Sequence, residues 1–121
     1  MEMVDKNALN DFKNLNITRK ELEESIGRTQ LELSIEDPVE INTADVINLL
    51  KGYQSDKITI YELLEWVNTV WFTDLFTYSD DHCDSIASVL NKLEEIDENG
   101  YILTDEEIGI YVKTLELNKE L

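Results

Sequence analysis

The chain has one cysteine, one proline, one histidine and four glycines in 121 residues. A single thiol, Cys83, excludes an internal disulfide and leaves too little sulfur for a thiolate zinc site. Gly27, Gly52, Gly100 and Gly109 are dispersed, so no glycine-rich loop is present to cradle a phosphate. Basic residues are also scarce. Ten Lys and Arg face 27 Asp and Glu, a formal charge of −17. Such a chain repels phosphate, and direct binding to nucleic acid is not expected without an ion. No apolar run approaches the roughly 18 residues of a membrane helix. The start, Met1-Glu2-Met3-Val4-Asp5, lacks the basic and apolar regions of a secretory signal. The expectation is a cytoplasmic protein that does not engage a membrane. At 42% hydrophobic, the chain is too apolar for a disordered acidic tail and long enough for one domain.

What is present is mostly helical. Ile17-Thr18-Arg19-Lys20-Glu21-Leu22, Ile58-Thr59-Ile60-Tyr61-Glu62-Leu63 and Leu103-Thr104-Asp105-Glu106-Glu107-Ile108 share one pattern. An apolar residue precedes Thr, Glu follows three later, and a second apolar residue comes next. Thr and Glu would satisfy backbone N–H groups that a first helical turn leaves unpaired, and the apolar pair would fix the angle of approach. A fourth start is Asn42-Thr43-Ala44-Asp45, with Val46, Leu49, Leu50 and Tyr53 at helical spacing. A fifth follows Ser79-Asp80-Asp81, with the stripe Ile86, Val89, Leu90, Leu93 and Ile96. Leu9 and Phe12 mark a short first helix. The last helix carries Ile108, Val112 and Leu115.

One stretch breaks this rhythm. Apolar residues alternate in Gln30-Leu31-Glu32-Leu33-Ser34-Ile35 and again in Val39-Glu40-Ile41, across the turn signal Glu36-Asp37-Pro38. Residues 30–41 read either as a hairpin or as an extended arm lying along the helices. The fold class is therefore mainly all-α. A bundle of about four principal helices over residues 42–121 is joined by helices and an arm in residues 1–41, in a single domain.

Catalytic signals are weak. His82 and Cys83 lie in Asp80-Asp81-His82-Cys83-Asp84, but adjacent residues on a helix do not face each other as a nucleophile and base must. No second ligand cluster has a recognisable metal spacing. This run reads as an acidic helix start with a small buried Cys, and the chain as a non-enzyme without a cofactor. Calcium is the one metal with a pattern. With Gly100 at the sharp turn, Glu95, Asp97, Asn99 and Glu106 fall at ligand positions of a degenerate EF-hand loop. The first of these is Glu where the loop calls for Asp. The competing reading is a helix–turn–helix in which Gly100 ends one helix and Thr104 caps the next.

Acids and aromatics converge further upstream. Residues 1–69 hold 14 acids and 7 bases, residues 70–107 hold 11 acids and one base, and residues 108–121 are neutral. Trp66, Trp71, Phe72, Phe76 and Tyr78 fall within the start of the acid-rich part or just before it. On one helix Leu63, Val67, Val70 and Trp71 form a stripe, Phe72 and Phe76 point away, and Asp74 interrupts the stripe. Either the helix breaks near Thr73-Asp74, or it is buried on more than one side. Acids beside aromatics suit a basic partner, and Asp74, Asp80, Asp81 and Asp84, with Trp71 and Tyr78 as anchors, form the candidate partner-binding set.

Residues 46–67, from Val46-Ile47-Asn48-Leu49-Leu50 through Ile58-Thr59-Ile60-Tyr61-Glu62 to Trp66-Val67, resemble the opening of small bacterial toxin-immunity proteins. The pattern is similar to the all-helical colicin-type proteins: an apolar helix, a short polar link, Ile followed by Thr, then Glu and an aromatic helix. The resemblance spans about a fifth of the chain. It implies a non-catalytic bundle, a monomer or weak dimer, that occludes the basic nuclease domain of a cognate toxin with acidic side chains. The first forty residues depart from that compact pattern. Two other readings compete: the calcium-responsive module, and an acidic mimic of DNA.

Overall fold

The computed structural model describes residues 6–26, 34–96 and 102–121. These form six helices and two strands in the order α1 (Lys6–Lys13), α2 (Arg19–Ile26), β1 (Ser34–Ile41), α3 (Thr43–Gln54), α4 (Ile60–Phe72), β2 (Asp74–Tyr78), α5 (Cys83–Glu94) and α6 (Asp105–Glu116). The protein is mainly α-helical, and among the described residues no helix is long and apolar enough to cross a membrane.

Each helix start seen as a capping pattern is built as one. Thr18, Thr59 and Thr104 accept backbone N–H bonds at 3.2 Å from Glu21, Glu62 and Glu107, whose carboxylates accept in return from the N–H of each Thr. Asn42 and Asp45 exchange the same pair of bonds. The fifth helix differs. Its N-cap is His82, which makes no side-chain capping bond. Cys83 is half-buried rather than buried, because it opens α5 one turn before the core stripe of Ile86, Val89, Leu90 and Leu93.

With so few glycines, helix ends must use other residues. Leu15, Asp56 and Asn118 adopt left-handed backbone, with φ of 67°, 62° and 52°. Each closes a helix in the same way. The residue after it donates to a carbonyl five residues back (Asn16 to Asp11, Lys57 to Gly52, Lys119 to Thr114), and it donates three residues back itself. Leu15 has no polar group to ease this conformation. Its side chain instead lies over Gly52, where an added Cβ would come within 2.9 Å of Leu15 Cδ1.

Helix α4 sits at the centre. It breaks at Thr73, which is extended (φ −118°, ψ 162°), and it is also buried on more than one side, through Leu63, Leu64, Trp66, Val67, Thr69 and Val70. Both readings of the aromatic run therefore apply. Tyr61 and Phe72 lie on its outward line, 56% and 65% exposed. Helices α2, α3 and α5 and strand β2 pack against α4, and α6 closes over α3 and α5.

After Thr73 the chain runs as β2 and pairs in parallel with β1. Helices α3 and α4 form the long crossover that a parallel pair requires. Residues 34–41 are thus the extended alternative and not a hairpin, while residues 30–33 lie outside the described residues. The turn signal at Glu36-Asp37-Pro38 appears as a break in register between Ser34 and Val39. Proline cannot donate to a ladder, and an irregular edge tolerates it. Two strands alone are marginal, and these lie against α1 and α4, with Phe12 and Phe76 rings 6.1 Å apart.

Asp56 is exposed and bears the left-handed backbone at the end of α3. Replacing it with glycine removes the Cβ penalty without disturbing a core contact. Asp56→Gly is expected to raise the unfolding free energy by about 0.5–1 kcal/mol, read as a higher denaturant midpoint at unchanged slope.

Candidate functional site

All of the candidate partner-binding residues but Asp74 lie at or next to the junction where β2 hands over to α5. Sheet pairing fixes this junction. Ile41 of β1 lies opposite Tyr78, and the Ser79 N–H continues the ladder by donating to the Ile41 carbonyl at 2.9 Å. The chain then turns tightly. His82 N–H donates to the Ser79 carbonyl at 3.1 Å, and Ile86 N–H donates to the His82 carbonyl at 3.0 Å, opening α5. Ser79 Oγ also contacts His82 Nδ1 at 3.3 Å. Asp80, Asp81 and Asp84 project from this pinned turn and are exposed. Asp84 lies in the first turn of α5, where the helix dipole favours a negative charge.

Trp71 and Tyr78 form one unit. The reversal at Thr73 brings the last turn of α4 back onto the end of β2, and the two rings sit 6.1 Å apart with planes inclined by 31°. Both are half-buried. The Tyr78 hydroxyl donates to the Val70 carbonyl at 3.4 Å. Burial disfavours its phenolate and pushes its pKa up to about 12. This pair anchors the junction and leaves part of each ring open.

Asp74 stands apart. It begins β2, and four residues of strand, about 13 Å, separate it from Tyr78. Asp80, Asp81 and Asp84 thus share the turn that follows Tyr78, Trp71 stacks near Tyr78, and Asp74 lies at the far end of the strand.

Sequence reasoning missed what the C-terminal residues add. Asn118 donates its side-chain N–H to the Asp81 carbonyl at 3.0 Å, and Leu121 N–H donates to Ser88 Oγ at 3.2 Å. The tail and the turn enclose a cleft of about 160 Å³, lined by Asp80, Asp81, Asp84, Asn118, Lys119 and Glu120 among others. Only the left-handed Asn118 at the end of α6 signals locally that the chain turns back here.

The calcium pattern is only partly placed. Asp97 and Asn99, with Gly100, lie outside the described residues. Glu95 is the C-cap of α5, and Glu106 is exposed in the first turn of α6. Thr104 caps α6, as the helix–turn–helix reading requires. Tyr111 is pushed to higher pKa by burial and then by the nearby Glu107 and Glu95 carboxylates. Among the described residues no group of three or more His, Cys, Asp or Glu side chains is arranged to hold a metal ion.

No family model, curated protein or solved structure matches the chain.

The Tyr78 environment has a measurable consequence. In the unfolded chain this phenol ionises near its ordinary pKa of 10.0, and in the folded chain near 12. Between those values the unfolded state has lost a proton that the folded state keeps. Stability is therefore full below pH 10 and declines as pH rises toward about 12. Tyr78→Phe removes this share of the decline while the share of Tyr111 remains, as checked by denaturation across the alkaline range.

Proposed function

We propose that the protein is a non-catalytic acidic binding protein that neutralises a basic protein partner. The most specific form of this reading is an immunity protein that inhibits a cognate bacterial toxin. The observation that carries it is the exposed trio Asp80, Asp81 and Asp84 on a turn pinned at both ends, following directly on the half-buried Trp71–Tyr78 pair along the chain.

A turn whose backbone is already pinned needs no ordering on binding, so the attraction of its carboxylates for a cation is not spent on ordering a loop. A half-buried aromatic pair supplies an apolar anchor within a polar rim, the pattern of an interface centre. The charge of −17 adds long-range attraction that accelerates encounter with a basic surface and weakens as salt rises. The resemblance of residues 46–67 to immunity proteins supplies the toxin; the charge supports any basic partner.

Two measurements test this reading. Expressing the product of the adjacent upstream reading frame, with and without this chain, should show toxicity that the chain relieves. Persistent toxicity, or a harmless neighbour, refutes the immunity form. With a partner in hand, Asp80→Asn/Asp81→Asn/Asp84→Asn is expected to slow association by at least about tenfold and to flatten its salt dependence. An unchanged association rate shows the turn to be outside the interface. Competition with DNA for several unrelated DNA-binding proteins would instead support the mimic.

A further inference from the structure

A second surface, on other elements, has both shape and charge. Two adjoining cavities open along α1, the link to α2, and the start of α4. One, of about 220 Å³, has an apolar floor of Phe12, Leu15, Ile17, Ile58 and Trp66, with Glu21, Glu62 and Glu65 also lining it. The other, of about 440 Å³, continues past Ile17 and Glu21, which line both, toward Asp11 and Glu24. Five carboxylates thus line two neighbouring cavities that share Ile17 and Glu21, together called the groove. Arg19 is the one basic residue lining either cavity among the described residues. Its guanidinium is already held by Glu23 at 3.2 Å and by the buried Thr69 hydroxyl at 2.9 Å.

We infer that this groove binds an extended, lysine-bearing segment of a protein, with aliphatic stems on the apolar floor and ammonium groups among the carboxylates. A lysine side chain has that composition: four methylenes ending in a compact charge with three donors. An apolar floor alone accepts any hydrophobic side chain, and exposed acids alone attract any cation. Their combination in an indented site selects a side chain that has both parts. Arg19, paired below, does not neutralise the rim. The capping bonds made by Glu21 and Glu62 use one oxygen of each carboxylate, and an ionised carboxylate accepts several donors. The caps also hold these two acids in place before any ligand arrives.

The groove lies on α1, α2 and α4, whereas the acidic turn lies between β2 and α5. It therefore tests separately from the proposed function. Trp66 provides the reporter. Its indole N–H donates to the Lys13 carbonyl at 3.2 Å beside the groove floor and is distinct from the indole of Trp71. A blocked peptide of alternating lysine and alanine is titrated into the isotopically labelled full chain. A saturable shift of the Trp66 indole resonance is expected, with the Trp71 indole unmoved. The same peptide with norleucine in place of lysine should leave Trp66 unmoved. Glu62→Gln/Glu65→Gln should weaken binding at least tenfold. Glutamine at position 62 keeps the capping geometry, so thermal unfolding should stay near that of the parent. A Trp66 signal that lysine peptide does not move overturns the inference. So does an equal response to the norleucine peptide, or shifts confined to residues 80–84.

Discussion

Helix α4 has more apolar surface than one neighbour can cover. Buried residues occupy more than half of its circumference, and Trp66, the largest of them, is 1% exposed. Fully burying a large side chain contributes about 1.5–3 kcal/mol, so exposing one side of this helix would forfeit several such terms. The rest of the fold follows from that demand. Helix α5 covers one side, α2 and α3 approach from others, and β2 turns back over the last turn. Polar groups lock these neighbours in place. Arg19 of α2 donates to Thr69, whose own hydroxyl donates to the Glu65 carbonyl. The Trp66 indole closes the carbonyl end of α1 at Lys13, and Lys13 reaches Asp45 at the start of α3 with 3.8 Å between charged atoms. Among the described residues no buried side-chain nitrogen or oxygen lacks a partner.

The same demand explains the small sheet. A two-stranded parallel pair is a poor unit by itself. Here its inner face is already needed by α1 and α4. Val39, Ile41 and Phe76 are buried on that face, Glu40 and its opposite number Thr77 are exposed, and Leu75, on the other face of β2, is buried as well. The sheet in turn creates the candidate site, because its last rung sets where the chain leaves Tyr78 and enters the acidic turn.

Local chemistry was legible in the sequence, and distant pairing was not. Thr18, Asn42, Thr59 and Thr104 announce their helices because both halves of each capping box lie within four residues. The stripe of α5 is equally local. Strand β2 was hidden because Leu75-Phe76-Thr77-Tyr78 is short, follows an aromatic helix, and finds its partner more than thirty residues upstream across two helices. The break at Thr73 could be read as an alternative, since Asp74 would otherwise interrupt an apolar stripe, but not its destination. For the candidate site, the sequence grouped the acids by proximity along the chain, and Asp80, Asp81 and Asp84 lie on one turn after Tyr78. It also included Asp74 on local charge, and strand β2 separates that residue from the turn. The tail residues around Asn118 were invisible for the same reason as β2: their contact with Asp81 spans 37 positions.

Charge is where fold and function separate. A net −17 on a small domain costs stability through self-repulsion, and part of the acid count answers a structural need. Glu21, Asp45, Glu62 and Glu107 satisfy helix N-termini, and Glu23 holds Arg19. Asp84 gains from the dipole of α5. Asp80 and Asp81 have no such role: the N-cap of α5 is His82, and the Asp81 backbone, not its carboxylate, receives Asn118. Hydrophobic burial around α4 does not require those two carboxylates, and helix capping does not use them. Lys119, from the tail, lines the same cleft as these acids. The fold nevertheless pins the backbone of the turn that carries them at both ends, which is the feature the proposed binding role draws on.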